Sequence, residues 1–369
     1  MSTVVLICVD GLDPEYLENC DAPNLQEIGR KGFFNLGQSM MPSVTNVNNM
    51  SIVTGVYPDV HGICSNYWFL KSTGQGYYTE SSDYVLSKTI FQKAKSLGLK
   101  SLVVSSKDKL MNLLSPGVDE AFSSENPPDW AVELIGIPPS IYSLEVNGWV
   151  INAATAAMSR NAPNLVYITT TDYAMHLYPP QHPKAKEHIK ILDDALGQLV
   201  EIHPNITLLL TADHGMSEKN KLIDLKKSLS HFSIQSDVIP IIKDRYTVHH
   251  SNLGGCMYVY VDQKDYKETI KILSDIDGVD EALSMEEAHT KFHLRKERIG
   301  DIIVTGRKDV VFGDKAEVKL PSNLRSHGST HERSIPLFGY NGNFDDYPMY
   351  ENRDMGSYIF ENIFLKRFF

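Results

Sequence analysis

Cysteine is scarce in this chain: four in 369 residues, at Cys8, Cys20, Cys64 and Cys256. They are too few and too scattered for a disulfide framework or a paired-cysteine metal site. No apolar run is long enough to span a membrane, and no basic leader or small-residue cleavage site precedes the first apparent strand. The expectation is a cytoplasmic protein. Basic residues are also in deficit, with 35 Lys and Arg against 46 Asp and Glu and a net charge of −11. That balance argues against broad binding to nucleic acid or anionic membranes. An anionic substrate would need local positive charge, from metal ions or a few lysines and arginines.

The chain is otherwise ordinary, with 42% apolar and 22% charged residues. Its length predicts a large core with a smaller insert. Short, nearly continuous apolar or β-branched runs at Val4–Val9, Ser101–Ser105, Leu165–Thr170 and Ile206–Thr211 predict parallel strands covered on both faces. Helical patterns alternate with them. Thr89–Leu97 stops at Gly98, a C-cap residue, and Lys184–Val200 carries Ile189, Leu192, Ala195, Leu196 and Leu199 at helical spacing. The fold class predicted is α/β, a mostly parallel central sheet sandwiched by helices. Residues 1–220 and 321–369 are assigned to this core, and 221–320 to an inserted α+β cap. The cap is read from strands at Cys256–Val261 and Asp301–Val304 and helices at Tyr266–Leu273 and Met285–Phe292.

Three predicted strands run into an aspartate: Asp10, Asp172 and Asp213. Ligands of open α/β sheets gather beyond the carboxyl ends of strands. Each aspartate alone reads more readily as a cap for the following turn or helix. Together, three carboxylates would repel one another unless a cation lay between them. His176 follows Asp172 and His214 follows Asp213, and imidazole with carboxylate is a donor mixture that zinc accepts. Of 13 histidines most have nothing special about them. His61 sits in a turn and reads as structural. His249 and His250 precede a Ser-Asn-Leu-Gly-Gly loop that could face a site. His327, in a polar loop before Ile335–Phe338, is a candidate to complete the site, with His331 its neighbouring rival.

The stretch Pro42–Gly55 is polar before a short apolar run. It reads as a helix N-terminus with hydroxyl and amide caps, or as a hydroxyl placed where a helix dipole and a metal would both favour its alkoxide. Here the sequence resembles the alkaline phosphatase superfamily, in the branch that holds the nucleotide pyrophosphatase/phosphodiesterases and the phosphonoacetate hydrolases. The matching features run in order: Val-Asp10-Gly, the Thr45 stretch, Tyr57-Pro-Asp-Val-His-Gly-Ile63, Asn66-Tyr67, Thr-Asp172 with His176, Ala-Asp213-His214-Gly215, and His327-Gly328.

The resemblance implies two zinc ions, with manganese or iron as alternatives. Asp172, His176 and His327 would hold one ion, and Asp10, Asp213 and His214 the other, with Thr45 as nucleophile and metal contact. It also implies that Asn66 and the Thr45 amide bind phosphoryl oxygens. No cysteine has the Pro and Arg context of sulfatases, and the phosphomutase branch normally presents serine. Lys107 and Lys109 read by themselves as solvated. In phosphonoacetate hydrolases similar paired lysines bind the substrate carboxylate. The Thr45–Asn49 run and the Val248–Gly254 segment, with His250, also resemble those enzymes. Gly328–Glu332 departs from the usual pattern. The implied partner is a small anionic phosphonate or phosphate ester, with a phosphodiester as the alternative substrate and a homodimer left open.

Overall fold

The computed structural model describes residues 3–243 and 249–364, so Val248 lies outside the described residues. Seven strands form the central sheet, in the order Phe33–Gln38, Ser334–Tyr340, Thr207–Thr211, Val4–Cys8, Leu165–Thr169, Ser101–Ser105 and Glu120–Ser123. Only Ser334–Tyr340 runs antiparallel to its neighbours, so the sheet is mostly parallel, as the sequence predicts. The four predicted strands are buried along their whole length. Helices cover the sheet on both sides, which is why these runs are apolar throughout rather than alternating.

Three strands of this sheet escape sequence reading. Phe33–Gln38 is an edge strand, largely exposed and lacking a continuous apolar run. Glu120–Ser123 is the opposite edge and only four residues long. Ser334–Tyr340 contains the apolar Ile335–Phe338 run, but neither its pairing nor its direction is written in its composition. The two helices form at Ile90–Ser96 and Pro183–Ile202. Thr89 closes a capping box with Gln92, which satisfies donors at the helix start.

A second, antiparallel sheet is built from Ser236–Pro240, Cys256–Val261, Ile302–Gly306 and Val279–Ser284, with helices Tyr266–Asp275 and Met285–Phe292. Its Cys256–Val261 strand is buried on both faces. Cys256, Tyr258 and Tyr260 join the main core, whereas Met257, Val259 and Val261 pack with Leu273, Ile302 and Val304 in a separate cluster. Alternate residues thus serve two cores. No helix of the described residues is long and apolar enough to cross a membrane.

The register of the central sheet positions everything that follows. Cys8, Thr169 and Thr211 stand level on three adjacent strands, and Ser105 is level with Thr169. Asp10, Lys107, Asp172 and Asp213 therefore emerge together just past the carboxyl ends of four neighbouring strands. The first strand is flanked on both sides by strands from later in the chain, the topology at which ligands bind open α/β sheets.

Two buried histidines away from this edge make the fold sensitive to acid. His61 accepts the Ile63 N–H at Nδ1 and lies 2.8 Å from Ser51 Oγ through Nε2. His188 meets the Leu144 carbonyl through Nδ1 and Asn147 through Nε2. Burial pushes His61 down to about 3, with the nearby Arg298 adding to it, and pushes His188 down to about 4. The unfolded chain titrates near the ordinary value of about 6.5, so below it the unfolded state binds protons that the folded state refuses. The stabilisation is complete above that value and is lost as pH falls towards 4. Urea unfolding at pH 7 and pH 5 should show lower stability at pH 5, with a loss about 2 kcal/mol smaller in His188→Gln. Equal losses in the two proteins would refute this account.

Candidate metal centre

Asp10, Asp213 and His214 bring ligand atoms within 4.8 Å of one another, as do Asp172, His176 and His249, and Asp172, His214 and His327. All seven side chains are buried. Both carboxylate oxygens of Asp10, Asp213 Oδ2 and His214 Nε2 lack a hydrogen-bond partner. Orphaned buried polar atoms of this kind are costly and rare in folded proteins. Asp213 Oδ1, in contrast, accepts the Gly11 and His214 amides, which aims Oδ2 into the gap. Gly11 has φ of +73°, and a Cβ there would lie 3.0 Å from Asp172 Cβ. Glycine lets the turn after Asp10 approach Asp172 this closely.

The histidines are oriented by backbone carbonyls. His176 Nδ1 lies 2.6 Å from Arg325 O, His214 Nδ1 2.9 Å from Gly215 O, and His327 Nδ1 2.7 Å from Ser43 O. A ring that donates Nδ1–H to a carbonyl keeps the lone pair on Nε2, the usual arrangement behind a metal-ligating imidazole. His176 Nε2 is 2.8 Å and His327 Nε2 3.7 Å from Asp172 Oδ2, and His214 Nε2 is 3.4 Å from Asp10 Oδ1. The His214 and His327 rings stack 3.5 Å apart at 8°.

The three carboxylates do not behave alike. Burial pushes Asp10 well above the usual carboxylate range, and its neighbours Asp172 and Asp213 push it further. Burial also raises Asp213, to about 6. Burial opposes ionisation of Asp172 too, but Lys107 and His176 overcome it and hold that carboxyl well below the usual range. Distance explains the difference: Lys107 Nζ lies 3.2 Å from Asp172 Oδ1 and 3.8 Å from Asp10 Oδ2. Among the described residues, Lys107 is the only lysine or arginine ion-paired with these carboxylates. Burial lowers His214 and, with the help of His214 and His176, drives His327 well down. These imidazoles are therefore neutral, the form that binds metal. Negative oxygens, neutral Nε2 atoms and unmet acceptors fit a divalent ion such as zinc, manganese or iron.

Thr45 opens the Thr45–Thr54 helix, which has Val44 as N-cap and no side-chain cap, so the capping reading of this stretch does not hold. Two neighbours tie it to the centre: the Ser43 carbonyl receives His327, and the Asn46 amide donates to Asn66 Oδ1 at 3.2 Å. Asn66 and Lys107 are buried, and so is Lys109 in the Asp108–Leu114 helix. His250 accepts the Asn252 amide at Nδ1, leaving Nε2 as its donor. His331 points away and pairs with Asp280 on the surface.

Sequence reading leaves the role of His249 open, and the structure brings it to Asp172, with Nε2 3.4 Å from Oδ1. Its loop position offered only a hint. Asp10, Asp213 and His214 form one of the two expected groups of candidate ligands, and Asp172 takes part in two others. Asp172 faces His176 with His249 on one side and His214 with His327 on the other.

The mostly parallel sheet and the buried Asp/His cluster define the class: an alkaline phosphatase-like fold carrying a candidate metal centre. The particular family follows from comparison. A profile described as type I phosphodiesterase/nucleotide pyrophosphatase matches residues 4–331, and the chain belongs to that family. The phosphonoacetate hydrolase of Sinorhizobium meliloti 1021, crystallised with phosphonoacetate, is 33% identical with a TM-score of 0.89, over 97% of this chain and 94% of that one. Murine ectonucleotide pyrophosphatase/phosphodiesterase 5 shares the fold at 18% identity and a TM-score of 0.70, with coverage of 97% and 94%. A venom phosphodiesterase of Naja atra is 26% identical over 229 residues, 58% of this chain and 26% of the relative. A bis(5'-adenosyl)-triphosphatase of Mus musculus is 25% identical over 253 residues, 64% of this chain and 53% of the relative. The chain thus spans about a quarter and about half of the length of these two curated relatives.

A metal centre of this kind predicts a large linkage effect. Stripping metal with a chelator should lower the melting temperature, and zinc at 1,000 times its dissociation constant should restore about 4 kcal/mol. Asp213→Ala should weaken that response. Calorimetry showing the same melting temperature with and without zinc would exclude metal binding at this cluster.

Proposed function

We propose that this chain is a di-metal hydrolase that splits the carbon–phosphorus bond of phosphonoacetate, giving acetate and phosphate through a phosphothreonine on Thr45. The observation that carries this reading is the buried Lys107 ammonium, 3.2 Å from Asp172 at the edge of the cluster, with Lys109 buried two residues on. Burying lysines is expensive. Positive charge beside a phosphoryl site suits a substrate that carries a second anionic group. The likeness along nearly the whole chain to an enzyme crystallised with phosphonoacetate and with phosphonoformate supports the same substrate class.

In this reading Asp10, Asp213 and His214 hold one ion, and Asp172, His176 and His327 the other, with zinc favoured over manganese or iron. When bound, such ions supply positive charge that favours an alkoxide at neutral pH and offsets charge on a phosphoryl group. Thr45 Oγ1 forms a bond to phosphorus as the carbon–phosphorus bond breaks. The electron pair passes to the CH2 carbon and spreads into the carboxylate as an enolate, which takes up a proton to become acetate. Lys107 and Lys109 stabilise that developing charge. Asn66 is pre-oriented, because its oxygen is held by the Asn46 amide and its NH2 group is left to donate to a phosphoryl oxygen. The Thr45 amide, at the first turn of its helix, is a second donor. His250 offers Nε2–H to the substrate carboxylate. Water then attacks phosphorus, the Oγ1–phosphorus bond breaks, and Thr45 recovers its proton as phosphate leaves.

The alternative is a phosphodiesterase or nucleotide pyrophosphatase, favoured by the family match and by the aromatic hairpin Tyr67–Leu70 and Gln75–Tyr78 just after Asn66. That reading has no use for paired lysines. Two further assignments belong to this proposal. The 221–320 segment is read as a cap, on the strength of its separate sheet. Cytoplasmic placement rests on four free, buried thiols.

Phosphate release from phosphonoacetate by the zinc-loaded protein, beside bis-p-nitrophenyl phosphate, separates the two substrates. Thr45→Ala should abolish turnover yet keep metal, and Asn66→Ala should slow it about 100- to 1,000-fold. Lys109→Ala should raise KM for phosphonoacetate and spare the diester, whereas Lys107→Ala, which also removes the partner of Asp172, should impair both substrates. Turnover of the diester alone, indifferent to Lys109→Ala, would move the protein to the phosphodiesterase reading.

A further inference from the structure

Glu332 is a fully buried carboxylate that the reaction above does not use, and it sits where Gly328–Glu332 departs from the family's usual sequence. Its partner is Lys219, also fully buried, with Nζ 2.9 Å from Glu332 Oε1. Lys219 also donates to the Lys308 carbonyl at 2.8 Å. Ser217 Oγ donates to the same Glu332 oxygen. The other oxygen, Oε2, accepts the Ser329 amide at 3.0 Å and the Ser329 hydroxyl at 2.7 Å. Four donors fill the carboxylate, as its acceptor capacity allows.

From this hub two chains of hydrogen bonds lead to two histidines. In one, the Glu332 carbonyl accepts the Gly215 amide at 2.7 Å, and the Gly215 carbonyl accepts His214 Nδ1–H. In the other, the held Ser329 presents its carbonyl to Ser43 Oγ at 2.7 Å, and Ser43 Oγ accepts the Gly328 amide at 3.0 Å. The Ser43 carbonyl then accepts His327 Nδ1–H. His214 and His327 are the pair stacked 3.5 Å apart, and they approach the centre from separate segments.

We propose that Glu332, held in place by Lys219, is a positioning residue that sets the spacing of His214 and His327 and thereby the metal affinity of the whole centre. This rests on the reading of the Asp/His cluster as a metal site, and not on which substrate is cleaved. Glutamine is the informative replacement. It keeps the volume of Glu332 but turns an NH2 group toward one pair of the four donors, so one side of the hub must open. Outer partners that orient ligating histidines typically change metal affinity about 10- to 100-fold when altered.

The test is titration of metal-depleted protein with zinc chloride and cobalt chloride, following affinity by calorimetry and cobalt geometry by visible absorption. Glu332→Gln should bind both metals 10- to 100-fold more weakly than wild type, with an altered cobalt spectrum. Ser329→Ala, which removes one hydroxyl, should lower affinity less and supports the same conclusion if Glu332→Gln does not fold. A pair that only stabilises the fold would lower the melting temperature of the metal-free protein and leave affinity and spectrum unchanged. Wild-type affinity and spectrum in Glu332→Gln, or in a folded Ser329→Ala when the glutamine variant does not fold, would overturn the proposal. Wild type that binds neither metal would overturn the metal-site reading itself, and this assignment with it. Failure to hydrolyse phosphonoacetate would touch only the substrate.

Discussion

Three carboxylates gathered in one buried pocket repel each other, and much of this protein is arranged around that repulsion. Two unit charges about 4 Å apart interact by about 4 kcal/mol at an effective dielectric of 20. That is a large fraction of the net stability of an ordinary domain, about 5–15 kcal/mol. Asp10, Asp172 and Asp213 nonetheless converge, because three adjacent parallel strands end level with one another. One lysine relieves the nearest of them, which is why Asp172 is pulled down while Asp10 and Asp213 are pushed up. The unmet oxygens of Asp10 and Asp213 mark where a cation's charge would be felt most.

Histidines complete the pocket, and the main chain holds three of them. Arg325, Gly215 and Ser43 supply the carbonyls for His176, His214 and His327. A carbonyl can only accept, so it selects one tautomer and leaves Nε2 facing inward. Ser43 serves twice: its carbonyl orients His327, and it stands two residues before Thr45. The placement of the proposed nucleophile is thus coupled to the placement of a candidate metal ligand through one short loop.

The choice between a phosphonate and a nucleotide substrate turns on what surrounds the phosphoryl position. The hairpin after Asn66 is rich in aromatics, but these rings contact one another and Arg298: Tyr67 with Tyr78, and Trp68 with Tyr77, Tyr84 and the guanidinium. Phe69 packs on Tyr260 of the second sheet. Rings used in this way tie the hairpin to the second sheet. Lys107 and Lys109 are buried, and it is their positive charge that a carboxylated substrate would complement.

By itself the sequence determined the buried strands, the acids that end three of them, and the histidines beside those acids, because these are local signals. A run such as Leu165–Thr169 is apolar throughout because both its faces are covered, and that can be read residue by residue. The edge strands Phe33–Gln38 and Glu120–Ser123 carry no such signal, since an exposed edge needs no apolar run. Other features depend on residues far apart in the chain, and only the tertiary structure decided them. The antiparallel direction of Ser334–Tyr340 depends on its neighbours. The meeting of His249 with Asp172 depends on a loop packed against a strand end, and the turning of His331 toward Asp280 depends on a surface acid about 50 residues away. Hydrophobic patterning is written along the chain, whereas tautomers, ion pairs and the sharing of Asp172 between two groups of candidate ligands exist only once distant segments are brought within hydrogen-bonding distance.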